Sequence, residues 1–467
     1  MFSLSSNIKS VNKTLILNIC SVILLQGISF FTGPIFTRIL GAEQYGLYSV
    51  FNAWVSVLAC VMGFNVSSAL VTARYQFKNS YELFKSSVLL FGTIICGAVA
   101  VLCICFIRPI AALTGYSYGM VILLLLMAFA KFVIKFAQDS WTYEKKAQMN
   151  FFVSAAVSIM SVSLSLLMVF SMSPEIRYLG KIYGYAIPHI IAAVIIWFVI
   201  YLKKPAGMNL DYWKYSLTIG FPVIFHSLSQ NILTQSDRLM MEYMNITNSS
   251  IGIYSVFYGL TAVLGIILSS LNTSWCPFYY DDLENKKWEV LDRKCKNYIE
   301  LFVVLTCGFI LLSREAGYLY AGKEYYEGIN VIPILVLAIF FTFMYQFPVN
   351  FEFFHKKTNI IAVGTMGAAV SNIILNAIMI PRYGMYGAAM ATAISYAFLF
   401  LAHYTIVKHF KNKFHLNIRI FIPGLLLISA AVMLFYVFPM FWYIRWGIGG
   451  MLGIFEIYRI WKRKSIF

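Results

Sequence analysis

Residues 37–51 read TRILGAEQYGLYSVF, and residues 251–257 read IGIYSVF. The first stretch sets Arg38 and Glu43 between two long apolar runs. Its Gly46-Leu47-Tyr48-Ser49-Val50-Phe51 returns 206 positions later as Gly252-Ile253-Tyr254-Ser255-Val256-Phe257. Both copies sit just after an arginine, where one apolar run gives way to the next. A junction repeated at such a distance points to a chain made of two similar halves.

The rest of the sequence says what the halves are made of. Of 467 residues, 60% are hydrophobic and 12% are charged, against about 25% charged in an ordinary soluble domain. So little charge cannot cover a soluble globule. A helix needs about 20 apolar residues to cross a bilayer, and such runs recur from Thr14–Phe36 onward. No small-residue cleavage site follows the first run, so it is expected to stay as a helix. The expected fold is an all-α polytopic membrane protein of about 14 transmembrane helices. Hydropathy places the first six at 14–36, 46–69, 86–107, 117–138, 151–172 and 180–202, and the second six at 216–238, 252–275, 298–320, 329–350, 359–381 and 385–407. A last pair follows at 418–437 and 440–460.

These spans divide the chain into a six-helix bundle over 1–202, a cytoplasmic linker KKPAGMNLDYWKY over 203–215, a second bundle over 216–410, and a helix pair with a basic tail over 411–467. The two motif copies are six helices apart, and an even number preserves orientation, so the bundles are parallel repeats.

The net charge of +17 does not indicate nucleic acid, because the basic residues are spread over short loops instead of gathering on one soluble face. The positive-inside rule accounts for them better. With the N-terminus in the cytoplasm, that side collects Lys9, Lys13, Lys145, Lys146, Lys286, Lys287, Lys356, Lys357, Lys411, Lys413 and Lys464, while the opposite side receives Arg38, Arg108, Arg238, Arg382 and Arg445. Both termini are then cytoplasmic. The eight cysteines lie in apolar runs without metal-ligand spacing. No Walker loop, metal cluster or ordered nucleophile appears. The expectation is a transporter that is not an enzyme and has no cofactor, driven by an ion gradient, the membrane potential or consumption of its product.

Three elements resemble a known family. PIFTRILGAEQYGLYSVFNAW carries Pro34, Arg38, Leu40, Gly41, Tyr45, Gly46 and Tyr48, similar to the first-helix signature of polysaccharide transporters. SDRLMMEYMNITNSSIGIYSVF supplies an Asp237-Arg238 pair followed by Gly252 and Tyr254, and IPRYGMYGAAMATAISY resembles the proline-glycine turn into a small-residue twelfth helix. Together they resemble the Wzx-like O-antigen repeat-unit flippases of the multidrug/oligosaccharidyl-lipid/polysaccharide (MOP) exporter superfamily. The resemblance implies a V-shaped pair of bundles like those of MATE transporters and lipid II flippases. It also implies a cargo of undecaprenyl-diphosphate-linked oligosaccharide, moved from the cytoplasmic to the periplasmic leaflet by alternating access. Membrane lipids, and the polymerase and chain-length proteins of the same pathway, are the implied partners.

Ionisable side chains inside a membrane cost about 2.5 to 3.5 kcal/mol and by default mark function. The expected substrate-binding residues are Arg38, Lys131, Lys135, Arg238 and Asn372, with cations for the diphosphate and an amide for sugar. Lys131, Lys135 and Asp139 are spaced by four and share a helix face. Asp237, His189 and His226 are the ion-coupling candidates. Asp281–Asn297 mixes both charge signs and reads as a surface helix between two spans. Two rivals stand against the flippase reading. An ion-coupled multidrug or cation antiporter of the same superfamily should concentrate carboxylates in its halves, and a membrane polysaccharide polymerase should carry a large outer loop.

Overall fold

The computed structural model describes the backbone of residues 2–410, 414, 416–463 and 465, with side chains from Phe30 onward. The side chains of Lys9, Lys13, Lys411, Lys413 and Lys464 lie outside the described residues. The described elements are helical, and ten helices among the described residues are long and apolar enough to cross a membrane.

The first helix, α1 (Phe2–Val61), contains the opening motif and is interrupted at Gly41, whose φ of 74° and ψ of 170° no L side chain adopts easily. The break falls between the spans expected at 14–36 and 46–69. A second break was not expected. Gly63, Phe64 and Asn65 take φ of 69°, 46° and 51° in a tight segment, Met62–Ala69, so the 46–69 span ends early in left-handed turns. Short helix α2 (Leu70–Gln76) resumes the chain, and α3 (Tyr81–Cys105), α4 (Ile107–Thr114), α5 (Tyr118–Tyr143), α6 (Ala147–Ser171) and α7 (Arg177–Lys203) follow.

The second part runs through α8 (Leu210–Tyr243), α9 (Asn248–Glu284), α10 (Trp288–Tyr320), α11 (Ile332–Phe354), α12 (Thr358–Lys408), α13 (Ile422–Val437) and α14 (Trp442–Arg463). Helix α12 turns at Gly384, with φ 54° and ψ −130°, between the expected spans 359–381 and 385–407. Helices α8 and α14 are not among the ten apolar candidates. Helix α8 carries Ser227, Gln230, Asn231, Thr234 and Gln235, and α14 carries Arg445, Glu456, Arg459 and Arg463. The charged stretch 281–297 is not a separate surface helix. It is the end of α9 and the start of α10, joined at Lys286 with φ 54°.

Contacts divide the chain into two compact units: Met1–Phe36 with Leu47–Leu239, and Thr37–Gly46 with Met240–Phe467. The first has an aliphatic and aromatic core around Phe84, Val88, Val133 and Phe136. Phe132 wedges between Gly63 and Gly92, where a Cβ on either glycine would lie 2.2 or 2.3 Å from its ring. In the second unit, Trp275, Tyr298, Phe302, Phe340 and Phe343 are buried, with Phe302 and Phe343 stacked at 4.3 Å. Helix α14 is pinned to α10 by Arg445, which is fully buried, pairs with Glu315 and donates to the Leu311 carbonyl at 3.0 Å.

The repeated motif accounts for one crossing in the second unit. A Cβ on Gly46 would lie 1.9 Å from the Asn248 carbonyl oxygen, and one on Gly252 would lie 1.9 Å from the Ala42 carbonyl oxygen. The two contacts map onto each other at the repeat offset, so corresponding residues of the two copies exchange places across the crossing, as in an isologous contact. Only glycine permits this approach of two backbones.

Candidate functional site

The first unit encloses a cavity of about 480 Å³. The second half of α1 contributes Ser56 and Cys60, the broken segment after it Asn65, α5 contributes Lys131, Lys135, Gln138 and Asp139, α7 contributes Tyr185 and His189, and α8 contributes Ser227 and Asn231. The left-handed break at 63–65 belongs here, since non-helical backbone at membrane depth survives where it is packed in protein or lines a wet cavity. Asn65 donates to Ser227 Oγ at 3.2 Å, and Asn231 donates to the Ser227 carbonyl at 3.1 Å. Two of the polar residues of α8, Ser227 and Asn231, belong to this wall.

Lys131 is half-buried, and its ammonium donates to neutral groups, Ser56 Oγ at 3.2 Å and Asn52 Oδ1 at 3.5 Å. One turn on, Lys135 pairs with Asp139 at 3.1 Å, with the lysine side chain 61% exposed. Asp139 is thus matched by a cation on its own helix, and Lys131 is left as excess positive charge facing the cavity. His189 lines the same wall. Its Nδ1 donates to the Tyr185 carbonyl at 2.8 Å and lies 3.2 Å from Ser161 Oγ, and its ring lies 4.2 Å from that of Tyr185. Pro188 has no N–H to close the helical turn here.

The other expected site residues lie elsewhere. Arg38 is exposed in the second unit and donates through Nη2 to the Leu319 carbonyl at 2.7 Å. It therefore caps the C-terminal end of α10, where cations are favourable. Asp237 and Arg238 are both buried near the end of α8, and Arg238 donates to the Thr234 carbonyl at 2.8 Å. His226 is half-buried on α8 and does not line the cavity. Asn372 is fully buried inside α12, donating to Thr392 Oγ1 at 3.4 Å and accepting from Asn376 at 3.2 Å.

The sequence reading missed several groups. Tyr185, Gln138, Asn65 and Ser227 carry no signal of their own in an oily chain. Lys181, at the start of the span expected at 180–202, is buried in α7 with its ammonium 4.1 Å from the Phe36 ring and 4.2 Å from the Tyr48 ring. In the second unit, His403 and Glu352 form a pair with no exposed side-chain surface.

At the end of α5, a charged network closes the first unit. Lys85, 4% exposed, bonds to Glu144 at 2.6 Å and to Glu82 at 2.9 Å, and Lys203 reaches Glu82 at 2.9 Å. Burial by itself would raise the Glu144 carboxyl. Hydrogen bonds from Lys146, Lys85 and Ser140 outweigh it and hold the group down at about 2.

A family model described as "Polysaccharide biosynthesis protein" matches residues 11–280. The capsular polysaccharide biosynthesis protein CapF of Staphylococcus aureus is 26% identical over 228 residues, covering 44% of this chain and 55% of its own. Among solved structures, lipid II flippase MurJ in an inward closed conformation is similar with a TM-score of 0.65 at 20% identity, covering 93% of this chain and 99% of its own. An inward-facing multidrug resistance MATE family transporter of the MOP superfamily gives 0.60 at 13%, covering 88% and 95%. The chain is an all-helical, multi-span membrane protein with the fold of these transporters.

Proposed function

The chain belongs to the polysaccharide biosynthesis protein family, and we propose that it flips undecaprenyl-diphosphate-linked oligosaccharide repeat units, of O-antigen or a similar surface polysaccharide. In this reading the protein lies in a bacterial inner membrane with both termini cytoplasmic, and alternating access carries the cargo from the cytoplasmic to the periplasmic leaflet. The observation that carries the reading is Lys131, a cation with neutral partners facing a polar cavity among membrane helices. A diphosphate brings the negative charge that such a site lacks. The amides and hydroxyls of Gln138, Asn231, Ser56 and Tyr185 offer donors and acceptors for sugar hydroxyls, and the Tyr185 ring offers a face for a pyranose. Lys135 can exchange Asp139 for phosphate oxygens, because an exposed pair of this kind is worth only about 0.2 to 1 kcal/mol. Arg38, with exposed surface, is the second proposed cation for the headgroup. Buried Arg238 and Asn372 would reach cargo only in another conformation. Asp237, His189 and His226 are left as proposed coupling groups.

The cation-antiporter reading is weaker, because among the described residues Asp139 is the carboxylate of the cavity lining and it is already matched by Lys135. The test is complementation of a flippase-null bacterium that carries the cognate sugar-assembly genes, at equal membrane abundance of each variant. Wild type should restore surface polysaccharide, and Lys131→Ala should leave lipid-linked repeat units inside. Full restoration by Lys131→Ala would remove the cavity from the mechanism.

A further inference from the structure

The second unit buries a histidine and a glutamate in full. Glu352, at the end of α11, and His403, on the second half of α12, have no exposed side-chain surface. His403 Nδ1 lies 2.7 Å from Glu352 Oε2 and 2.9 Å from Oε1. The other ring nitrogen, Nε2, has no hydrogen-bond partner among the described residues, and what it meets is the backbone of Gly364, where a Cβ would lie 2.2 Å from it. The first half of α12 thus seals the imidazole by pressing a glycine onto its edge.

The groups that the described residues are seen to bring against the pair are neutral. From α11, Tyr345 meets the imidazole edge-on at 5.1 Å, and its hydroxyl lies beside Thr365 and within reach of the Glu352 charge. From the first half of α12 come the Gly364 backbone and Thr365, which bonds to the Ile361 carbonyl at 2.7 Å. From the second half, Tyr404 turns to the Leu416 carbonyl. None of these carries a charge, and the Lys408 ammonium lies 4.7 Å from the Tyr404 ring. A net charge at this depth is costly, so the closed arrangement is satisfied by one proton shared between the two groups, as imidazolium with carboxylate or imidazole with carboxylic acid. No proton at all leaves a buried anion, and two leave a buried cation.

We propose that Glu352 and His403 form a proton-binding site that holds one proton while Gly364 is pressed onto the imidazole and releases it when that contact opens. Separation of the helices bares Nε2 and the carboxylate to water. The proton leaves as hydronium, the electron pairs stay on nitrogen and oxygen, and no other bond changes. Reclosure requires a proton to be taken up again. A pair that must be occupied to close and is free to empty when open is the element needed to link helix movement to a proton gradient. The inference holds whatever the cargo is.

The test needs no cargo. Hydrogen–deuterium exchange of the amides over 358–368 is followed across about pH 5 to 9 in the full-length protein in nanodiscs, for wild type and Glu352→Gln. The amide of glutamine can accept from Nδ1 of a neutral imidazole, so that variant closes without the proton that wild type holds, while His403 titrates alike in both once open. Taking the ratio of wild-type to variant rates cancels the chemical pH dependence of exchange. Opening linked to the loss of one proton should make that ratio rise about tenfold per pH unit. A flat ratio overturns the proposal and leaves the cargo reading untouched. If Glu352→Gln does not fold, the double variant Glu352→Gln/His403→Gln, an amide pair, replaces it, and the tenfold rise is then read above about pH 6.5, where an exposed histidine has lost its proton.

Discussion

Lys131 and His403 are both basic groups held between membrane helices, yet their surroundings are opposite. Lys131 faces a cavity of about 480 Å³ with neutral hydroxyl and amide partners. His403 has no exposed surface, one carboxylate partner and a glycine backbone against its free edge. Water and ligands can reach the first, and its excess charge awaits an incoming anion. The second has its counter-charge built in. An open, unbalanced cation suits a cargo site, and a closed, balanced pair suits something as small as a proton.

The contrast can be broken most sharply at the closed pair. Glu352→Ala leaves an imidazole able to charge with nothing opposite it, and removing one partner of a buried pair costs about 3 to 5 kcal/mol. Thermal unfolding of the purified protein should show this loss, whereas Lys131→Ala, where water can take the place of the ammonium, should stay within about 0.5 kcal/mol of wild type. Equal losses at the two positions would dissolve the comparison. For transport the order reverses in kind. Lys131→Ala should lower flipping at least about tenfold, or 1.4 kcal/mol, with Lys131→Arg recovering part of it, as read by surface polysaccharide per unit of protein.

Smaller effects sharpen the edges. Glu144→Gln removes a carboxylate bonded to Lys85 and Lys146 and should cost about 1 to 3 kcal/mol at neutral pH. Because the folded-state carboxyl is held down at about 2, below the ordinary range of about 4.3, its contribution is complete above that range. It fades as the pH falls from there through about 2, so wild type and variant should converge in unfolding scans taken in acid. The smallest change is expected at Arg38. Arg38→Ala removes one cap from α10 and should cost about 0.3 to 1 kcal/mol of stability. If flipping falls with it as far as for Lys131→Ala, Arg38 acts on cargo as well.

The fold was legible because membrane helices announce themselves one at a time. The spans apart from α8 and α14 needed only their own apolar runs, and the GxY repeat marked a crossing where Gly46 and Gly252 meet backbone to backbone. The Lys131, Lys135 and Asp139 face was legible too, since spacing by four fixes a shared side of one helix. What escaped depends on partners far apart in the chain. Glu352 and His403 are joined across 51 positions, and separately each reads as an ordinary residue at a helix end. Asn372 looked like a sugar ligand, but its amide is consumed by Thr392 and Asn376. The break at Gly63–Asn65 has one glycine and one asparagine to hint at it, and Phe64 between them argues for helix.

The most direct test is flipping by the purified protein. Proteoliposomes loaded with a fluorescent undecaprenyl-diphosphate-linked oligosaccharide are assayed for the fraction of label that becomes accessible to an external reagent, with wild type beside Lys131→Ala. The account predicts transfer with wild type and at least about tenfold slower transfer with the variant. Transfer at the same rate by both, or none by wild type above empty liposomes, would contradict it.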